Sequence, residues 1–237
     1  MESERLRRIR MENAQFELEA PYNFCNRWCE RCITERQNRC RLYLDEFEQK
    51  LTCIAHGKEP DDPEMTAEVM CRQYEAAEEA MEKFVEENEM EFDDLSKETQ
   101  ELVKRQEEFI ENNPLHKTAE QYHKKAHALL KETFYKERAA DRRLKSEFEV
   151  VSWYHTLFPV KLHRALCGFH EPVVEDDISL NDAIAQLDIC RQAINESIEA
   201  LRRIKNNLSG YQKQITELIA LLNNLYSRIE LLEESIS

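Results

Sequence analysis

Four cysteines fall within sixteen residues of this chain: Cys25, Cys29, Cys32 and Cys40, spaced C-x3-C-x2-C-x7-C. Thiolates are soft ligands that favour zinc, copper(I) or iron–sulfur clusters. From Cys25 to Arg41 the segment carries Arg27, Arg31, Arg36, Arg39 and Arg41 against Glu30 and Glu35, a local +3 in a chain of formal net charge −15. Cations beside cysteines lower the thiol pKa and offset the negative charge of a thiolate–metal centre. Structural zinc usually takes two short Cys-x2–4-Cys turns set well apart, and here only one clear short turn fits. Three closely spaced cysteines with a fourth nearby suit a cubane cluster better. One metal centre on Cys25, Cys29, Cys32 and Cys40 is expected, with 4Fe–4S favoured over zinc. Cys53, Cys71, Cys167 and Cys190 are scattered and read as small buried hydrophobes.

A second group is histidine-rich. His116, Glu120, His123 and His127 step by four, three and four, so on a helix they share one face. Glu120-x-x-His123 is the spacing of one half of a ferritin-like di-iron site, in which two helices give a Glu each and two others give Glu-x-x-His. A second Glu-x-x-His is missing. Glu120, His123 and His127 are therefore secondary candidates for a metal site, with Glu75, Glu147 or Glu196 as unselected further carboxylates. The same stripe continues through Leu130, Phe134, Glu137, Asp141, Leu144, Phe148, Val151, His155, Phe158 and Leu162. His155, on the apolar part beside Trp153 and Tyr154, reads as a hydrogen-bonded core histidine.

The elements that carry these residues are helices. Arg41 to His56 has apolar residues at helical spacing and is stopped by Gly57 and the stretch Lys58-Glu-Pro-Asp-Asp-Pro63. Further helices are expected over 64–91, then to about 111, then over 116–158, where Pro159 should kink the helix rather than end it. Residues 168–177 read as a loop. A last helix should start near Ser179 and run without a strong stop to Ser237. Along it Leu201, Ile204, Leu208, Tyr211, Ile215, Leu218, Leu222, Leu225, Ile229, Leu232 and Ile236 alternate steps of three and four, an a/d seam suited to a coiled coil. The seam can face the chain's own fourth helix or another chain, with partial intermolecular pairing preferred.

Composition narrows the fold. A chain of 237 residues at ordinary usage would hold roughly 16 glycines, and this one has 3. Rossmann, P-loop and TIM-barrel folds need glycine where the backbone takes positive φ or approaches a phosphate, and all-β folds need many tight turns. That also excludes the barrel of the radical-SAM enzymes, whose C-x3-C-x2-C spacing the first three cysteines share. The acidic balance argues against general nucleic-acid binding, which needs a basic face. No stretch approaches the roughly 18 apolar residues of a membrane span. No secretory signal is recognised, so a reducing cytoplasm is expected.

The sequence thus predicts an all-α, elongated bundle of long antiparallel helices with a C-terminal coiled-coil segment and a small four-cysteine module. Its parts are a charged arm over 1–20, the four-cysteine metal-binding module over 21–41, a helical bundle over 42–178 and a long C-terminal helix over 179–237. The expected function is that of a cytoplasmic metal-binding interaction or assembly protein, with a protein partner or a second copy bound through 201–236. The alternative is a ferritin-like di-iron oxidoreductase using Glu120, His123 and His127, with the four-cysteine centre as electron relay.

Overall fold

The computed structural model describes residues 3–60, 62–87, 97–136, 142–170 and 178–236. These are almost all helical, and no strand occurs among them, as the scarcity of glycine requires. The chain divides into two units, 1–28 with 104–237, and 29–103.

In the first unit, α1 spans Glu4–Glu19. Its N-cap is Ser3, whose Oγ accepts from the Leu6 amide at 3.1 Å and satisfies one otherwise unpaired N–H. In the second unit, α2 is the four-residue Thr34–Gln37, α3 is Arg41–Ala55 and α4 is Pro63–Glu87. The helix α5, Lys97–Asn112, passes from the second unit into the first. The first unit continues with α6 (Pro114–Thr133), α7 (Lys145–His170), α8 (Ile178–Asn207) and α9 (Gln212–Glu234).

The last four helices form an up-down-up-down bundle, with α7 between α6 and α8, and α9 closing the ring against both α8 and α6. Each antiparallel step is fixed by pairs along its length. Tyr154 donates to Glu196 Oε2 at 2.7 Å and Arg164 grips Asp182 with two 2.7 Å bonds, so α8 runs against α7. Arg191 reaches Glu233 at 2.7 Å, so α9 runs back along α8. The helix α1 lies on α8: Arg10 bonds Asp188 and Glu233, and Asn13 donates to the Asn181 carbonyl at 2.8 Å. Gly168 allows α7 and α8 to approach closely. A Cβ there would stand 2.4 Å from the Ser179 carbonyl oxygen.

Three expectations need correction. The helix over 116–158 is two helices, α6 and α7, folded against each other, so the single long stripe is doubled back. Glu137 and Asp141 lie outside the described residues. The segment from Gly168 is not loop at its start, because α7 continues to His170, and Pro159 sits inside it without ending it. The C-terminal helix over 179–237 is also two helices. It turns at Ser209–Tyr211, where Leu208 leaves the helical region (φ −123°, ψ 89°) and a 3-10 turn follows. The seam therefore closes within the chain: Leu201, Ile204, Ile215, Leu222, Leu225 and Ile229 are each 0% exposed. Its alternating steps run across a turn, so its two halves face each other and α6 rather than one external partner.

Candidate functional site

The segment that begins the cysteine-rich stretch is docked on α7 and α8. A 3-10 turn over Pro21–Phe24 ends at Cys25. Asn26 Nδ2 donates to Tyr154 Oη at 2.8 Å, and the Trp153 indole N–H donates to the Asn26 carbonyl at 2.9 Å. Trp28 stacks on Trp153 with centroids 5.3 Å apart, and Arg27, just before Trp28 in the chain, takes a positive φ of 59°. Beneath the segment, Gln186 Nε2 donates to the Asn23 carbonyl at 3.2 Å while its Oε1 accepts from Lys161 Nζ at 2.8 Å. Lys161 is buried. Desolvation pushes its ammonium below the usual lysine range, and the nearby Cys25 thiol opposes that shift. Cys25 is half-buried, its Sγ 3.6 Å from the Tyr22 carbonyl that accepts from it.

The other three cysteines of the stretch belong to the second unit. Cys29–Arg31 is a 3-10 turn in which the Cys32 amide donates to the Cys29 carbonyl at 3.1 Å. That same carbonyl accepts Gln37 Nε2 at 3.1 Å, which folds the turn onto the end of α2. The Cys40 amide in turn donates to the Gln37 carbonyl at 3.1 Å, and Cys40 is the buried N-cap of α3. Gln37 thus ties the Cys29–Cys32 turn to the turn that delivers Cys40. Among the described residues no disulfide joins any of the eight cysteines. Nor, among those residues, do three His, Cys, Asp or Glu side chains converge closely enough to hold a metal ion. Of the scattered cysteines, Cys53 and Cys190 are buried as expected, and burial pushes the Cys190 thiol up to about 12. Cys167 is half-buried and Cys71 is exposed.

The histidines gather on the seam between α6 and α7. Proline has no N–H, so in α7 the carbonyl four residues before Pro159, that of His155, loses its helical partner. His123 takes the vacancy: its Nδ1 lies 3.0 Å from the His155 carbonyl oxygen and donates to it. His155 Nδ1 donates in the same way to the Ser152 carbonyl at 2.7 Å. Both rings then carry their proton on Nδ1 and leave Nε2 as an acceptor. His155 Nε2 is buried and has no hydrogen-bond partner among the described residues. The ring of His155 stacks on His123 at 5.1 Å and 6°, and on His127 at 5.6 Å and 20°. Near-parallel rings hold their in-plane lone pairs side by side rather than aimed at one ion. Glu120 is drawn instead to Lys124, 3.6 Å away, so Glu120, His123 and His127 are on one face but do not converge.

Further along the seam His116 meets His163 edge to face at 6.1 Å, and Glu111, His116, Glu120 and Lys124 line an open recess of about 600 Å³. Burial lowers the pKa of both His116 and His155. Glu120 opposes the shift at His116, and the neighbouring His123 and His127 add to it at His155. One helix over 116–158 would hold His155 and His163 far along its axis from His116, His123 and His127; the α6–α7 hairpin brings them together. Pro159 carried the signal, because it frees a carbonyl that another side chain must satisfy.

What the seam can do chemically is weaken proton binding at His116 and His155, by burial first and then by the imidazoles beside them. What the cysteine stretch can do is present four thiols on short turns, three of them on one tied loop. The chain matches no protein-family model, and no curated protein and no solved structure matches it.

Proposed function

We propose that this chain is a helical metal-binding interaction protein in which Cys25, Cys29, Cys32 and Cys40 hold one metal centre, 4Fe–4S in preference to zinc. The observation that supports this is the near absence of a core in the second unit. Among its described residues only two apolar side chains are buried, Cys40 and Cys53. A unit of this size must offset the conformational entropy of ordering its chain, and those with too little apolar burial use a disulfide framework, a metal or a partner. The cysteines are thiols, which leaves metal and partner. A structural thiolate–zinc site contributes roughly 10–16 kcal/mol of apparent binding free energy, ample for a loop already tied by Gln37.

Thiolate ligation of this kind belongs in a reducing compartment, which favours the cytoplasm. No described helix is long and apolar enough to cross a membrane. The interaction half of the proposal rests on the second unit's exposed apolar faces, since the C-terminal seam is closed inside the chain. The test is elemental analysis with an absorption spectrum on anaerobically purified protein. One centre per chain is expected, lost in Cys29→Ser, because a hard hydroxyl replaces a soft thiolate, and kept in His123→Ala. Metal lost in His123→Ala but not in Cys29→Ser would favour the di-iron oxidoreductase instead. Wild-type protein without metal refutes the centre.

A further inference from the structure

The helix α4 has no buried residue along its 25 positions. Its apolar residues are nevertheless ordered. Ala67, Met70, Tyr74, Ala77 and Met81 step by three, four, three and four, the spacing of a helix-pairing stripe. Met70 is 60% exposed, Tyr74 75% and Met81 54%. Exposed apolar stripes of this regularity mark an interaction surface, and methionine, flexible and polarizable, suits a face that must fit a partner.

The charges around the stripe say what covers it. From Pro63 to Glu87 the helix holds eight glutamates against Arg72 and Lys83, a balance of −6. Both cations are already engaged, Arg72 with Glu68 at 2.6 Å and Lys83 with Glu87 at 3.9 Å. Glu78, Glu82 and Glu86 line the same shallow recess as Tyr74, Ala77 and Met81. Among the described residues none of those three carboxylates has an ion pair. A second copy of α4 would set carboxylates against carboxylates, and an acidic face repels both nucleic acid and anionic lipid. A helix with apolar residues on one side and Lys or Arg beside them would cover the stripe and pair the carboxylates together.

We propose that the Met70–Tyr74–Met81 face of α4 docks a basic amphipathic helix of a partner protein. This rests on the interaction half of the function proposed above and names its partner class. The stripe from Ala67 to Met81 is ~21 Å long at 1.5 Å per residue, so two to three heptads of partner helix cover it.

Cys71 supplies the readout, because its exposed thiol lies next to Met70 in the sequence. The probe is a synthetic three-heptad peptide with Leu at a and d and Lys at the flanking positions; its control carries Glu at those flanks. The full-length chain should bind the Lys peptide with saturation and at least tenfold tighter than the Glu peptide. Saturating peptide should slow alkylation of Cys71 at least tenfold. Tyr74→Ala with Met81→Ala should weaken binding at least tenfold at unchanged helicity, and Glu78→Lys with Glu82→Lys and Glu86→Lys should reverse the peptide preference. Equal binding of both peptides, binding that survives the Tyr74 and Met81 changes, or full Cys71 reactivity in the complex would overturn the proposal. So would concentration-dependent dimerisation of the chain alone that buries Cys71. Metal content measured on the same sample reports on the cysteine centre alone, so metal-free protein that still shows the expected peptide binding supports the docking face while refuting the centre.

Discussion

Replacing Leu222 by alanine is expected to lower the melting midpoint of the four-helix bundle by about 6–12 °C without changing the mass of the species that melts. Leu222 is 0% exposed on α9, the helix that closes the ring against α6 and α8. Truncating a buried leucine removes its transfer free energy and leaves a cavity, together about 2–5 kcal/mol. Leu222 is fully buried in the core on a helix packed against two others, so about 3 kcal/mol, within that range, is the working figure. The first unit is about 160 residues long, and in a domain of that size 1 kcal/mol moves the midpoint by roughly 2–4 °C. Circular dichroism melts at two protein concentrations tenfold apart, with light scattering on the same samples, measure both quantities. If the seam joined two chains, the midpoint would rise with concentration and the variant would release monomer before unfolding. A concentration-dependent wild-type midpoint, or a shift below about 2 °C in the variant, would refute intramolecular closure of the seam.

The histidine seam carries a pH dependence whose sign follows from burial. His155 and His116 bind a proton more weakly in the folded chain than in the unfolded one. The stability this contributes is present above the unfolded value of about 6.5 and is lost as pH falls below it toward the folded values. The midpoint should therefore drop between pH 7.5 and 5.5, and His155→Leu should flatten that slope; a midpoint rising over the same interval contradicts the assignment. Gly168→Ala should destabilise by about 1–3 kcal/mol through overpacking, since its Cβ would press on backbone, the Ser179 carbonyl oxygen; a chemical-denaturation midpoint unchanged from wild type would show that α7 and α8 can part at that point.

Composition made the helical class legible, and the breaks at Gly57, Pro63 and Asn113-Pro114 are where Gly and Pro chemistry places them. The hairpin between α6 and α7 was not legible. Around it the sequence reads Phe134-Tyr-Lys-Glu-Arg-Ala-Ala-Asp-Arg-Arg143, with neither Gly nor Pro, and most of these residues favour helix. Packing decides there: Phe134 stacks on Phe148 at 5.5 Å and Tyr135 meets Ser152 at 2.8 Å, contacts that exist only once the chain has doubled back. The turn after α8 was hidden differently. Gly210 marks it, but a heptad pattern that continues across the turn outweighed one glycine. The cysteine stretch is legible in its spacing, whereas the Gln37 bond that ties its loop is a side-chain-to-backbone contact with no periodic signature. In a single stripe His123 and His155 share one face of one helix; in the hairpin they face each other from two.

The bond from His123 to the His155 carbonyl also works as an address. A helix pair held only by apolar side chains can slide by a turn at modest cost, because one leucine resembles the next. Pro159 removes that freedom by opening a single acceptor at one height on α7. Sliding α6 by one turn in one direction would bring Ala119 to that height and leave a buried carbonyl unanswered. In the other direction His127 could answer it, but Ala126 would then replace Tyr122, whose ring meets Phe158 edge to face at 5.4 Å. The helix defect thus encodes alignment, and the imidazole that reads it is present in only one register that also fills the core.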